Sequence, residues 1–479
     1  MRNTKSSLAD TFIVSSANSS RAFLNVSESP GAQGESFDTA TLGKNYEESV
    51  STTALNAGQI NDVEKQPQVI LREKTPTGSF VSCSTNLLNT ILGTGLVTLA
   101  STMNVIGIIP GSCLILLFAI FSGFGLHLLT ISASKVGRTS SFFTISKITY
   151  PKMGLLFDIA IAVKCYGVAT GYLIIVKKLF SRILLEGLSY EQGFFTGQKF
   201  ILTISMCIAI PLALLRRLDS LKYTSYLSML AIFYLLILVV VLFFRSFESS
   251  YVVQPNLFPS SEQSIFTMLK NLSIIIFAFT CHQNLFAVYN EKRNNKVSSI
   301  NKVITFSIST ASCFYWVIGI LSYLTLLKQP DGKVSDNILE SYESNMAVIV
   351  AQFAYGLLTL FSYPLQVHPC RNSLEKVFPI SNETRLKYPK TIFYGISGVI
   401  ILATFFTAFF VDELGLVLAV VGSTGSVTLC YILPSLFYVK LTENEGWHTK
   451  RILAAALGAI GIIVMCLCLP SALVSSAGH

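Results

Sequence analysis

From Phe80 onward, apolar runs of about 18 to 25 residues recur, separated by short polar stretches. Each is long enough to cross a hydrocarbon core of about 30 Å as a helix. The pattern predicts eleven spans, at about 80–103, 105–130, 154–177, 200–215, 223–244, 265–289, 303–326, 345–367, 391–410, 412–438 and 452–473. The fourth is short, and the first two and the ninth and tenth run almost into one another. Residues 1 to about 78 read differently. They are rich in Ser, Thr, Asn and Gly, carry nine acidic and seven basic side chains, and hold no apolar run longer than a few residues. Such a composition cannot bury enough surface to fold. The sequence thus divides into a disordered tail, 1–78, and an all-α membrane domain, 79–479. No apolar h-region follows the first basic residues, so the start does not resemble a cleaved signal peptide. The tail is expected to be retained in the cytosol, leaving the sequons at Asn18 and Asn25 unused.

Composition narrows the function class. Apolar residues make up 51% of the chain and charged ones 13%, where a soluble protein carries roughly a quarter charged. The net charge of +9 does not point to nucleic acid, because no basic groove with interleaved aromatics is visible and membrane proteins load their cytoplasmic loops with Lys and Arg. Alternate loops hold 19 Lys and Arg on one side against 8 on the other, counting Lys177 and Lys270 at span ends. That bias puts the N-terminus in the cytosol and the C-terminus across the membrane. Ten cysteines are scattered singly, among them Cys113, Cys165, Cys313, Cys430, Cys466 and Cys468 within apolar runs. Neither CxxC spacing nor His partners suggest a metal, so they read as packing residues. No nucleophile, base and orienter recur at a catalytic spacing, and no re-entrant filter or acidic ring suggests a channel.

Two spans are interrupted by polar residues. In "NLLNTILGTG", Gly93 and Gly95 flank Thr94 about halfway through the first span, and each glycine weakens a helix by roughly 1 kcal/mol. A break at membrane depth is tolerated only where the freed backbone is buried in protein or lines a cavity. The second half-helix would then offer N–H groups and a positive dipole end to a carboxylate; alternatively, the small residues only allow close helix packing. Asn86 and Asn89 share a face just before the break, as ligands for a cation or polar substrate or as interhelical hydrogen-bond partners. In "FAFTCHQNLFAVYNE", Thr280, His282, Gln283 and Asn284 interrupt the sixth span. Five spans separate the two interruptions, the spacing expected of an inverted repeat broken at corresponding helices around a midplane site.

These residues also carry a resemblance. "NLLNTILGTGLVTLA", "SSFFTISKITYP", "FDIAIAVKCYGVATGYLIIV", "AFTCHQNLFAVYNE", "FSYPLQVHPCRNSLE" and "VGSTGSVTLCYILPSLFY" follow in order across residues 80–473. Together they resemble the amino acid/auxin permease family, above all the vacuolar amino acid transporters of fungi and the neutral amino acid transporters of animals. The resemblance implies a five-plus-five inverted repeat of the amino acid–polyamine–organocation type, with helices one and six broken around an amino acid. It implies that Thr94, Gly95 and nearby backbone receive the α-carboxylate. Thr280 and Cys281 carbonyls, with the His282, Gln283 and Asn284 side chains, face the amine and side chain. Asn86 or Asn89 with Ser362 matches the superfamily's cation site, although Ser362 reads equally well as a packing hydroxyl. Gly422 to Ser426 reads as close packing and gating. No cofactor is implied beyond the coupling ion, proton or sodium.

The chain departs from the family pattern at "TLASTM", where relatives end helix one with a proline, at Lys177 and Lys178, and at Lys164 near the midpoint of the third span. A lysine at the bilayer midplane costs several kcal/mol, so Lys164 should face the cavity. It would bind an acidic side chain of the substrate, titrate as the coupling group, or pair with a carboxylate. Asp158 is the nearest candidate in sequence, but six residues along a helix leave the two about 120° apart. His127 and His368 read as satisfied polar groups more readily than as proton carriers. The reading is a secondary transporter of amino acids in the vacuolar or lysosomal membrane, surrounded by lipid and coupled to protons. The alternative is an amino acid sensor whose cytosolic tail engages a regulatory protein.

Overall fold

In hydrocarbon every backbone N–H and C=O must find a partner within the protein, and a helix supplies those partners within one segment. A computed structural model describes residues 76–479 apart from 216–221, 249–253, 331, 379 and 478–479. The tail expected over 1–78, with Asn18 and Asn25, lies almost wholly outside the described residues. Among those residues every regular element is helical, with no strand and a single isolated bridge between Gly78 and Lys292.

In chain order the helices are α1 (Phe80–Ile91), α2 (Leu99–Ile106), α3 (Ile108–Val136), α4 (Phe142–Thr149), α5 (Gly154–Arg182) and α6 (Gln198–Ala213). Next come α7 (Lys222–Arg245), α8 (Ile265–Ala278), α9 (His282–Glu291), α10 (Val297–Leu326), α11 (Ile338–Ser341) and α12 (Met346–Val377). The chain continues through α13 (Asn382–Lys387), α14 (Pro389–Phe410), α15 (Leu414–Val421), α16 (Leu433–Leu441) and α17 (Thr449–Ala477). Among the described residues nine helical stretches are long and apolar enough to cross a membrane, with α8–α9 and α15–α16 each counted as one. The pair α1–α2, bent by 45°, would make a tenth. The sixteen residues of α6 give a rod of about 24 Å, short of the ~30 Å core.

Where predicted and observed boundaries differ, the cause is local. The first and second spans meet at Gly107 (φ 89°), not at the 104 the hydropathy suggested. That left-handed turn requires glycine, and a Cβ there would come within 2.7 Å of Phe258 backbone. Both α5 and α12 outrun their predicted ends at 177 and 367, because the charged residues that ended the apolar pattern are accommodated by partners. Lys177 pairs with Asp412 at 2.6 Å and Lys178 with Glu340 at 3.1 Å. At the end of α12, Arg371 lies over the Phe393 ring at 3.9 Å and donates to Ser397.

Hydropathy and position are linked. In its most apolar 18-residue stretch Tyr226–Arg245 (mean hydropathy 3.0) is only one-third buried, whereas the corresponding stretch of Pro151–Gly187 (1.9) is 78% buried and that of Ile265–Glu291 (1.5) is 61% buried. A peripheral helix must be apolar all round because lipid surrounds it, while a central one can carry polar groups. Accordingly α5 lies in the middle, packed along α12 and against α15. The packing is close wherever glycine permits it: a Cβ on Gly167 would meet Val421 at 2.0 Å, and one on Gly422 would meet the Ser273 carbonyl at 2.1 Å. All ten cysteines are free thiols, Cys165, Cys430 and Cys468 buried among helices and Cys113, Cys313 and Cys466 on the perimeter.

The glycine contacts generate a paired prediction. Gly422→Ala should destabilise the purified protein by about 1–3 kcal/mol, the cost of overpacking, because its Cβ meets backbone. Gly395→Ala, with nothing within 4 Å, should be neutral or stabilising by up to ~1 kcal/mol. Thermal unfolding followed by intrinsic fluorescence measures both; equal midpoints for the two variants would refute the packing argument.

Candidate functional site

The first interruption is a real break. After α1 the backbone leaves the helix at Leu92 (φ −76°, ψ 59°), passes Gly93, Thr94 and Gly95, and re-enters through a 3-10 turn at Leu96–Thr98 before α2. The second lies between α8 and α9, where Phe279, Thr280 and Cys281 are non-helical. The two breaks touch: a Cβ on Gly95 would come within 2.8 Å of the Ala278 Cβ. The freed carbonyls are met by side chains from other helices. The Tyr315 hydroxyl of α10 lies 2.7 Å from the Ile91 oxygen and 2.6 Å from the Ala278 oxygen, so one phenol serves the ends of both half-helices. Tyr355 of α12 donates to the Gly93 oxygen at 2.8 Å, and Ser122 of α3 to the Phe279 oxygen at 2.9 Å.

Between the breaks lies an enclosed cavity of about 20 Å³. Its walls are Thr90, Ile91, Gly93 and Thr94 from the first broken helix and Phe277 and Thr280 from the second. Lys164, Val168 and Tyr172 of α5 and Gln366 of α12 complete it. A space that size admits about one water molecule, so an amino acid enters only if the walls part. The Thr94 Oγ1 is buried with no hydrogen-bond partner among the described residues. Lys164, 3% exposed, donates to Gln366 Oε1 at 3.5 Å, and Gln366 also hydrogen-bonds Tyr172. Lys164 makes no ion pair with a carboxylate among the described residues. The carboxylate considered from sequence, Asp158, instead lies 3.4 Å from Lys376, as the 120° offset along α5 requires. Gly425, in the π-helical turn Gly422–Ser426, packs directly on Lys164, where a Cβ would come within 2.6 Å of the lysine Cβ.

Of the residues singled out from sequence, Thr94, Lys164 and Thr280 line the cavity. Gly95 packs on Ala278 beside it. Cys281 and His282 are fully buried, and His282 stands against Gly125 and Cys430, where a Gly125 Cβ would lie 2.9 Å from its Nε2. The Gln283 Oε1 is buried without a partner. Asn284 Nδ2 donates to Thr90 Oγ1 at 2.5 Å, and Thr90 donates to the Asn86 oxygen at 2.9 Å, so this arm ties α9 to α1. Asn86 and Asn89 sit on α1, which packs against α9 and α10, while the buried Ser362 sits on α12. None of those three lines the cavity. His127 meets Asn301 Oδ1 at 3.1 Å and His368 meets Asn372 at 3.3 Å.

Sequence reasoning did not find Thr90, Tyr172, Tyr315, Tyr355 or Gln366. None of them stands out from the residues around it in sequence, and only the fold turns each one inward. A larger cleft of about 690 Å³ between α3 and α10 is a less suitable site. Its walls include Leu116, Ile120 and Trp316, part of the exposed apolar perimeter that lipid would cover.

Both ends of the cavity are closed by polar contacts. At the α2 end, Asp336 accepts from the Gly415 amide at 3.0 Å and lies 3.5 Å from Ser101 Oγ. Beside it Lys178 holds Glu340, and Arg182 donates to the carbonyls of Leu339, Glu340 and Tyr342. Burial pushes the Glu340 carboxyl above the usual range, with Lys178 opposing and Asp336 adding to the rise. At the α1 end, Arg138 donates to the carbonyls of Asn290, Lys292 and Arg293, and Gly78 exchanges hydrogen bonds with Glu291 and Arg293.

Known proteins share this architecture and sequence. The structure of MhsT in complex with L-phenylalanine aligns with a TM-score of 0.55 at 13% identity, covering 83% of this chain and all of that one, a likeness of fold alone. The chain is 35% identical over 404 residues to vacuolar amino acid transporter 5 of Schizosaccharomyces pombe, covering 81% of this chain and 93% of that protein. It is 28% identical to vacuolar amino acid transporter 7 of Saccharomyces cerevisiae, covering 76% and 89%. The model of the family described as transmembrane amino acid transporter protein matches residues 76–476, and the chain belongs to that family.

Proposed function

We propose that the chain is a secondary active transporter that moves amino acids across a vacuolar or lysosomal membrane, coupled to protons, by alternating access. The observation that carries this reading is the closed cavity between two broken helices, with the Thr94 hydroxyl buried there without a partner. The amides around Thr94 and Gly95 suit a carboxylate at the start of a half-helix, and the bared backbone around Thr280 suits an ammonium. Eleven crossings follow if the bent pair α1–α2 and the short α6 each span. The breaks then fall in the first and sixth, the arrangement of a five-plus-five inverted repeat with a site at the midplane. The Lys and Arg bias supports a cytosolic N-terminus and a lumenal C-terminus, and the names of the fungal relatives support the vacuole. Asn86, Asn89 and Ser362 remain the residues to test for sodium.

Rocking must break the contacts at one end of the cavity and then the other. In this orientation Glu340 lies on the lumenal side, facing Lys178, Asp336 and the Arg182 arm. A carboxyl raised by burial takes up a proton at a higher pH than an exposed one does. Protonation removes the charge that holds Lys178, so an acidic lumen loosens the lumenal end, consistent with export toward the cytosol. The competing sensor reading rests on the long tail.

Purified protein in proteoliposomes should accumulate an amino acid against its gradient when a pH gradient is imposed, and a proton ionophore should abolish the accumulation. Persistence with sodium alone would replace the proton by sodium, and absence of any flux would sink the transporter reading. A chain beginning at residue 79 should transport undiminished; the sensor reading instead expects binding without flux from the intact chain. Tyr315→Phe should lower the transport rate about tenfold, since an unmet buried carbonyl costs about 1–3 kcal/mol, while leaving the yield of folded protein in the proteoliposomes intact. Glu340→Gln should flatten the dependence of flux on lumenal pH above the ordinary carboxylate range, the direction in which burial shifts this group; an unchanged profile would remove Glu340 from the coupling.

A further inference from the structure

The transporter reading leaves the cargo unnamed, and the charge at its centre bears on that question. α5 carries three lysines in or at the end of its membrane span. Lys177 has Asp412, and Lys178 has Glu340. Lys164, the deepest of them, has only neutral company in the cavity: Thr90, Thr94, Thr280, Tyr172 and Gln366. Its hydrogen bond goes to an amide oxygen at 3.5 Å, longer than a well-formed N–H···O bond. Gly425 lies directly against the base of the lysine, where a Cβ would come within 2.6 Å of the Lys164 Cβ, and the head group itself is buried in the cavity wall.

An ammonium taken out of water costs several kcal/mol unless an opposite charge meets it. Within the closed cavity the protein supplies none among the described residues, so a Lys164 that keeps its proton takes its neutralising charge from the cargo. A neutral amino acid is a zwitterion and leaves the closed site at net +1, and a basic one raises it to +2. An amino acid with a carboxylate side chain brings it to zero. Its two carboxylates also find separate receptacles. The amides and the hydroxyl at Thr94 take the one next to the amine, and the Lys164 ammonium takes the side chain.

We propose that Lys164 is the specificity-determining residue of the site and selects acidic amino acids, of the aspartate and glutamate class. The proposal rests on the transporter reading above. Lys164 discriminates because the uncharged isostere of the cargo leaves it buried and unmet, and a site built to pair a charge rejects the partner that lacks it.

The test is counterflow in proteoliposomes of the full chain with glutamate, aspartate, glutamine, leucine and lysine, each measured for the wild type and for Lys164→Gln. The wild type should favour glutamate or aspartate over glutamine by about tenfold or more, the scale of a charge-assisted hydrogen bond. Lys164→Gln should lose that preference while glutamine flux is retained or rises. Wild-type protein that moves neutral or basic amino acids as well as acidic ones overturns the proposal but leaves the transporter reading standing. A Lys164→Gln protein that moves glutamate as fast as the wild type does the same. No flux of any amino acid from the wild type overturns the transporter reading itself. Should the variant fail to fold, thermal stabilisation of the wild type decides: a shift with glutamate and none with equimolar glutamine supports the proposal, and equal shifts overturn it.

Discussion

A broken helix in hydrocarbon survives only if every carbonyl and amide it frees is met from inside the protein, and the rest of this structure is arranged around that requirement. The Tyr315 hydroxyl is its focal point, lying within 2.7 Å of carbonyls at the ends of α1 and α8. Tyr355 and Ser122 serve the carbonyls of Gly93 and Phe279. These donors come from α10, α12 and α3, so three continuous helices are held around two discontinuous ones. One side chain at the first break is not met: Thr94 presents a buried hydroxyl with no partner among the described residues.

Charge follows the same logic at larger scale. Lys177, Lys178 and Arg182 at the end of α5 are matched by Asp412, Glu340, Glu186 and carbonyls. Such pairs are costly to break once buried, and they fasten one end of the cavity. Arg138 and the Gly78 bridge fasten the other. Each clasp joins helices on its own side of the breaks, and in the proposed alternating access the two would part in turn. Lys164 belongs to neither clasp and has no ion pair among the described residues, which is what singles it out in the proposal above.

The interruptions were legible because they break a rule locally: two glycines around a threonine, and four polar residues in an apolar run, are anomalous wherever the chain goes. Lys164 was legible for the same reason. Tyr172, Tyr315, Tyr355 and Gln366 break no rule, since one polar side chain in a long helix is compatible with lipid, packing or a site. The pairing of Asp158 with Lys376 rather than Lys164 was half legible, from the angular offset along α5, but the identity of the partner depended on α12 lying alongside.

By itself, then, the sequence determined the helical class, the approximate positions of the spans and the two places where helices break, because each of these follows from hydropathy and backbone propensity along one segment. Only the tertiary structure decided which hydroxyls meet the freed backbone, how small the cavity is, and that Lys164 enters it without a carboxylate. Those are relations between helices far apart in the chain, fixed by close packing at glycines such as Gly95, Gly422 and Gly425. No local pattern encodes the neighbour that such a glycine admits.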